Sequence, residues 1–451
     1  MKIVIIGGVA AGAKAAAKIK RLLPDSNVDI FTDDTHVSYS SCGLPYYIEG
    51  NFTDYRALLV RSVEEFKAAG VDVHLESKVE KILVPQQKVL VCSSLEARLV
   101  SYDKLIIATG ARPFIPNIEG YNDYNNIFTL RKIEDGISIR NSMLKAKHAV
   151  IIGSGYIGLE LLEAFVRNGL SVTVLERNDK IISTFDDDMS DFIRKRLEAS
   201  NEGKFEFHTN EIASEFVGKN KSAQSVKTLS GKEYFADLFV ICTGVQPNIE
   251  IAKDAGIEIG STGAIKVNKL MQTSVENIFA CGDCAEKRHI INGKNVWIPL
   301  GSTANKEGRC AAMNAAGIYC EFEGVLGSAV SRCLNTTMSM TGLTEKKAIK
   351  FGYTPVSAIV SKLDKVGYMP DADDIILKVI ADKITGMLLG GQAIGAIGAD
   401  KRINSLASAL LAHLSVEEFS SNDMTYSPPY STTIDPLINA MLILKNKLET
   451  S

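Results

Sequence analysis

The chain has 451 residues, 46% hydrophobic and 23% charged, enough apolar material to exclude long disorder, while 35 Gly and 12 Pro exclude collagen-like and low-complexity classes. With 50 basic against 53 acidic residues and a net charge of −3, it carries no electrostatic footprint for a nucleic acid or an anionic membrane. At roughly 100–200 residues per domain the length predicts two to four domains, with three the central expectation.

The first elements open a parallel sheet. Lys2-Ile3-Val4-Ile5-Ile6 is a β-branched strand that ends at Gly7-Gly8; an Ala-rich helix follows from Ala10 to Leu23, then a strand from Val28 to Phe31. The stretch Met1–Ala17 is no signal peptide, because Lys14, Lys18 and Gly7-Gly8 interrupt it, and no apolar run reaches the ~18–20 residues of a membrane span. A cytoplasmic location is expected, and the eight cysteines, at 42, 92, 242, 281, 284, 310, 320 and 333, are read mostly as free, buried thiols, with Cys310 and Cys320 in an Ala-rich helical stretch. About 145 residues on, the pattern recurs: strand His148–Ile152, glycines 153–158, a helix to Asn168 and a strand Ser171–Leu175. Leu105–Gly110 and Leu238–Gly244 are paired as well, each an apolar strand running into Thr-Gly. Beyond about residue 325 strands and helices alternate without glycine fingerprints, which predicts a third, α+β domain.

Gly153-Ser154-Gly155-Tyr156-Ile157-Gly158 is a full G-x-G-x-x-G between strand and helix. Its glycines make the tight turn, admit a pyrophosphate to the backbone and let helix and strand pack closely. Glu176, about 20 residues on, is placed to accept from an adenosine ribose, which favours NADH; the neighbouring Arg177 keeps NADPH open. Tyr156 and Ile157 are expected near the nicotinamide, and Gly244 closes the paired strand. The first fingerprint, Gly7-Gly8-Val9-Ala10-Ala11-Gly12, has Val9 in place of its second Gly; Asp33 is expected to serve its ribose. A further segment, Thr273–Asp283, reads T-x-x-x-x-I-F-A-x-G-D, with Gly282 admitting a ligand and Asp283 accepting a hydroxyl. It resembles the second FAD fingerprint of the two-dinucleotide flavoprotein reductases. With Ala108-Thr109-Gly110 it makes FAD the expected cofactor.

Cys42 follows the first β-α-β unit by about ten residues, in Ser38-Tyr39-Ser40-Ser41-Cys42-Gly43-Leu44-Pro45-Tyr46-Tyr47. The loop leaves the sheet edge that faces the cofactor, so its sulfur is expected at the isoalloxazine. A helix starting at Gly43–Leu44, with Pro45 in its first turn, would favour the thiolate. The alternative for a lone cysteine is a buried structural thiol.

Over essentially its whole length the sequence resembles the pyridine nucleotide–disulfide oxidoreductases. Glutathione- and lipoamide-reductase-like members carry a second cysteine where Tyr47 stands here and a C-terminal His-Pro-x-x-x-Glu that is missing; His413 is the only late histidine, in an apolar helical stretch. Both differences point to the single-cysteine branch of coenzyme A-disulfide reductases, NADH oxidases, NADH peroxidases and polysulfide/persulfide reductases. Ala10 stands where the oxidases and peroxidases carry a His. The segments 7–13, 42–47 and Tyr426-Ser427-Pro428-Pro429-Tyr430-Ser431 resemble coenzyme A-disulfide reductases most, whereas Ser41 before the cysteine is as in the oxidases and peroxidases.

The resemblance implies an α/β fold of two Rossmann-like domains plus a C-terminal α+β dimerisation domain. It divides the chain into FAD-binding residues 1–112 and 245–325, NAD(P)H-binding residues 113–244 and dimerisation residues 326–451. FAD would rest on Gly7, Gly8, Ala11, Gly12, Asp33, Ser41, Cys42, Ala108, Thr109, Gly110, Gly282, Asp283 and Ala304. The helix after Trp297 would point its N-terminus at the flavin pyrimidine. NAD(P)H would rest on Gly153, Gly155, Tyr156, Ile157, Gly158, Glu176 and Gly244. Coenzyme A would lie against Lys18, Arg21 and Ser38, although cations there equally suit the helix's own C-terminal dipole. Tyr426 would reach Cys42 of the partner subunit in a homodimer, and Tyr368 is the second phenol able to protonate a departing thiolate. Cys281-Gly282-Asp283-Cys284 is a C-x-x-C that overlies the FAD fingerprint, so it is assigned neither a redox nor a metal role, and no metal site is expected.

The implied reaction is hydride transfer from NADH to FAD, then two electrons to a mixed disulfide between Cys42 and a small thiol, most economically coenzyme A, drawn from a disulfide, persulfide or polysulfide. Two alternatives stand beside it: an NADH oxidase or peroxidase cycling a Cys42 sulfenate, and an electron-transfer flavoprotein serving a protein such as rubredoxin.

Overall fold

The computed structural model describes residues 1–450. Its first sheet is parallel, ordered Ile278–Ala280, Lys104–Ile107, Lys2–Ile6, Asn27–Phe31, Val71–His74. The strands are continuous β-branched runs because both faces are covered, and Ile3, Val4 and Ile5 are fully buried. Helices Ala10–Leu22 and Gly301–Ala315 lie against each other so closely that a Cβ at Gly308 would fall 2.3 Å from the carbonyl oxygen of Ala11. The alanines of both helices are what permit that approach. An antiparallel trio, Lys78–Leu83, Lys88–Cys92 and Ala97–Ser101, adds Val79, Ile82, Val89 and Val91 to the same core.

The second sheet repeats the plan, ordered Phe205–Thr209, Ser171–Glu176, His148–Ile152, Leu238–Ile241, Ile127–Phe128, all parallel. Each sheet reverses its strand order beside its first strand, so each has a crevice at the carboxyl ends where ligands of open α/β sheets bind. The second glycine turn opens helix Tyr156–Arg167. That helix packs Leu159, Leu161 and Leu162 into one core with Leu44, Tyr47 and Ile48 of the short helix after Cys42.

The third sheet is antiparallel, ordered Ala329–Cys333, Thr336–Gly342, Leu388–Gly395, Asp374–Asp382, Pro355–Leu363, and is covered by helices Ala399–Leu411 and Pro436–Glu449. Its Lys378, 1% exposed, reaches Asp188 and Glu345 at 2.7 Å and Asp186 at 3.3 Å, tying this domain to the start of helix Asp187–Ala199. The architecture is the expected one: α/β, two doubly wound units and an α+β domain. Two residues depart from the sequence reading. His413 lies beyond its helix, with φ +54° and its side chain exposed. Cys320 lies past the end of helix Gly301–Ala315 rather than within it, because the chain turns at Gly317, φ +78°. Among the described residues no helix is long and apolar enough to cross a membrane.

Candidate active site

The strand ends Ile6, Phe31, Ile107 and Ala280 stand in register, so Gly7, Thr32, Ala108 and Cys281 leave the first sheet side by side. Gly7, at φ +101°, turns so tightly that a Cβ there would meet Ala108 O at 2.2 Å, and one on Gly12 would meet Gly7 O at 1.9 Å. Gly282 faces Ala11 and Ala304, whose Cβ atoms would lie 3.0 and 3.6 Å from its own. These residues therefore form one cradle, with Gly8 beneath it. Thr109 Oγ1 donates to Asn248 O at 2.8 Å and Gly110 lies against Arg131, whose Nη2 pairs with Asp283 at 3.0 Å. Trp297 Nε1 donates to Asp283 O at 2.7 Å, fixing the approach to the next helix.

That helix begins at Gly301, where a Cβ would lie 3.9 Å from Cys42 Sγ. Cys42 sits in the turn Ser41–Gly43, before helix Leu44–Glu49 with Pro45 in its first turn. Cys42 is exposed, with its sulfur beside the start of helix Gly301–Ala315. Desolvation, then the charges of Glu160 and Asp283, push the thiol up; Arg131 and a hydrogen bond with Ser41 oppose them. The short helix starts at Leu44 as expected, and burial and two carboxylates act on the thiol against the thiolate.

The second crevice is built alike. Gly153, φ +104°, is braced by Cys242 O, which a Cβ would meet at 2.4 Å, and a Cβ on Gly158 would meet Gly153 O at 2.2 Å. Gly155 differs: it is exposed at the helix N-terminus, and nothing lies within 4 Å of where its Cβ would be. Gly244 across the crevice is open in the same way. Tyr156 is half-buried and Ile157 is 36% exposed. Glu176 already accepts from Ser154 N and Oγ at 3.0 and 2.7 Å, and from Asn178 N and Nδ2 at 2.9 and 2.8 Å. Its carboxylate is thus held in place at the strand end by four donors.

The fit of dinucleotides rests on these turns: two closed cradles that only glycine completes, and at Gly155 an open approach to N–H donors at a helix N-terminus. Other expected residues stand apart. Asp33 is exposed and pairs with Lys132 at 3.7 Å. The register makes Thr32, not Asp33, the counterpart of Glu176, since Ile6 pairs Phe31 as Ile152 pairs Leu175. Arg21 Nε caps its own helix at Ala17 O, 3.0 Å, Lys18 is half-exposed on the same helix, and Ser38, φ +52°, bonds Gly8 O through its N–H at 2.8 Å. Tyr368 and Tyr426, 74% and 48% exposed, have no hydrogen-bond partner among the described residues. Cys281 and Cys284 are fully buried and burial pushes both thiols up.

Glu160 was not legible in the sequence. It lies on helix Tyr156–Arg167 between the two crevices, accepts from Ser331 Oγ of the third domain at 3.0 Å, and burial pushes its carboxyl up to about 7. Its position inside an apolar helical face resembles any core carboxylate, so no sequence signal separated it. Lys287 and Glu307 form a second unforeseen pair, both side chains fully buried and 3.4 Å apart, with Glu307 accepting from Gly282 N at 2.7 Å.

A family model of the pyridine nucleotide-disulphide oxidoreductases matches residues 1–308, and one of the same family's dimerisation domain matches residues 333–437. The chain belongs to this family, and it is an oxidoreductase working with FAD and NAD(P)H. An NAD(P)H sulfur oxidoreductase (CoA-dependent) of Pyrococcus furiosus is 40% identical over 98% of this chain and 99% of its own. An NADH oxidase of Methanocaldococcus jannaschii is 34% identical over 97% of each. Among solved structures, the NAD-dependent persulfide reductase from A. fulgidus superposes with a TM-score of 0.96 at 34% identity, over 100% of this chain and 84% of that one.

Proposed function

We propose that the protein reduces coenzyme A disulfide, or a coenzyme A persulfide or polysulfide, through a mixed disulfide on Cys42. The single observation that carries this reading is the exposed edge of Cys42 at the mouth of the first crevice, its sulfur beside the N-terminus of helix Gly301–Ala315. The relatives named as a CoA-dependent sulfur oxidoreductase and a persulfide reductase support it. FAD, when bound, supplies two-electron transfer from NAD(P)H. The chain's own part is sulfur chemistry. The Cys42 thiolate attacks one sulfur of the substrate, the substrate S–S bond breaks, and one thiolate leaves; two electrons and a proton later free the second thiol and restore the Cys42 thiolate.

In this reading residues 1–112 and 245–325 hold FAD, 113–244 hold NAD(P)H and 326–451 dimerise. The exposed, unpartnered phenols of Tyr426 and Tyr368 suit a homodimer in which Tyr426 protonates the leaving thiolate at Cys42 of the partner subunit. Gly7, Ala11, Gly12, Ala108–Gly110, Gly282, Asp283 and Ala304 line the flavin, and Lys18, Arg21 and Ser38 take the coenzyme A. Glu176 selects NADH, and the site of action is the cytoplasm.

A second reading, a Cys42 sulfenate cycle reducing oxygen or peroxide, is favoured by the NADH oxidase relative. It lacks a proton-handling histidine at Ala10. Intact-mass analysis of the purified protein separates the two. A coenzyme A adduct on Cys42, removable by NADH, is expected; a bare or oxidised Cys42 together with rapid oxygen consumption would overturn the first reading.

A further inference from the structure

Two of the remaining cysteines meet. Cys310 is on the last turns of helix Gly301–Ala315, and Cys320 is on the segment that turns back at Gly317. Asn314 clamps that segment: its Oδ1 accepts from Cys320 N at 3.1 Å, while its Nδ2 donates to Cys320 O at 2.7 Å, to Leu270 O at 3.1 Å and to Cys310 Sγ at 3.4 Å. Cys310 Sγ donates to Cys320 O at 3.1 Å, so the two residues are in direct contact. Cys310 is buried and Cys320 half-buried, so one thiol is reachable from solvent and the other waits behind it.

We propose that Cys310 and Cys320 are a second dithiol site, which closes to a reversible disulfide on reaction with a low-molecular-weight disulfide. The half-exposed Cys320, as thiolate, attacks one sulfur of the disulfide RSSR, whose S–S bond breaks to release RS⁻. Cys310 then gives its proton to solvent and displaces the second RS⁻ from Cys320. Two protein thiols are oxidised to one disulfide and one RSSR is reduced to two thiols, so atoms and electrons balance. Cys310 Sγ already lies against the Cys320 carbonyl, and the Asn314 clamp holds the two residues in place. The bond ties the end of helix Gly301–Ala315, whose start lies beside Cys42, to the segment leading into the third domain. This chemistry does not depend on what Cys42 turns over.

The test is to treat the FAD-loaded enzyme with excess oxidised glutathione at mildly alkaline pH, quench with acid, alkylate and digest with trypsin. Arg309 and Arg332 bracket both cysteines in one peptide, residues 310–332. That peptide is expected to lose two hydrogens and take no alkyl group, and dithiothreitol should restore alkylation at both positions. Cys310→Ala should trap glutathione on Cys320, and Cys320→Ser should leave Cys310 a thiol, with NAD(P)H-linked turnover unchanged before oxidation. Wild-type peptide with glutathione retained on Cys320, or with both thiols still free, would overturn the proposal whatever the variants do.

Discussion

Replacing Glu160 by Gln probes the active-site field most directly. Burial carries this carboxyl from an ordinary 4.5 to about 7, against a single hydrogen bond from Ser331. At about 1.36 kcal/mol per pH unit, the folded state loses up to about 3 kcal/mol by holding it ionised. The sign follows from linkage. Below pH 4.5 the group is protonated folded and unfolded alike, so it contributes no penalty; the penalty grows as pH rises to about 7 and is full above. Glu160→Gln keeps the acceptor for Ser331 and removes the charge. It should therefore melt with wild type in acid and above it in mild alkali, by several degrees. Because Glu160 also holds the Cys42 thiol up, the variant's Cys42 should reach its alkylating thiolate form at lower pH. The assay is the rate of iodoacetamide labelling of Cys42 against pH, run beside thermal melts in acid and in alkali. An unchanged labelling profile, or a destabilisation that grows with pH, would refute the electrostatic account.

Cys42→Ser should abolish reduction of small disulfides while leaving NAD(P)H oxidation by an artificial electron acceptor, measured by steady-state absorbance. Gly155→Ala meets no atom within 4 Å and needs no left-handed backbone, so it should melt like wild type yet raise the KM for NADH about tenfold or more, whereas Gly12→Ala, facing Gly7 O at 1.9 Å, should fail to hold a yellow cofactor. Lys378→Met strands Asp186, a buried carboxylate, and should lower stability by about 3–5 kcal/mol in denaturant unfolding; a smaller loss on adding Asp186→Asn to it would show the coupling.

Much of the fold was legible because its signals are local. A β-branched run, a glycine turn and an apolar helix need only neighbours in sequence, and both doubly wound units were readable for that reason. The cradle around Gly7, Gly12 and Gly282 was readable too, since close backbone approach demands glycine. What stayed hidden depends on distant partners. Glu160 acts through Ser331, and Asp283 is held by Arg131, 152 residues away. The thiol of Cys42 is pushed up by burial and then by carboxylates from other elements, which helix-end reasoning about positions 43–45 alone does not see. Counting from the first glycines reaches Thr32, as strand register does, and Asp33 is the first acid beyond it. Cys320 was misplaced in a helix because an Ala-rich run hides where the chain turns.

Each glycine turn is propped by the carbonyl of the adjacent crossover strand, Ala108 O behind Gly7 and Cys242 O behind Gly153. For anyone redesigning coenzyme preference, this divides the pocket into a fixed and an adjustable part. The glycine turn cannot shift without dragging a central strand, so in the proposed reading alterations belong at positions 176–178, where a new side chain would replace the Glu176 carboxylate's bonds to Asn178 and Ser154 rather than the pairing of the strands.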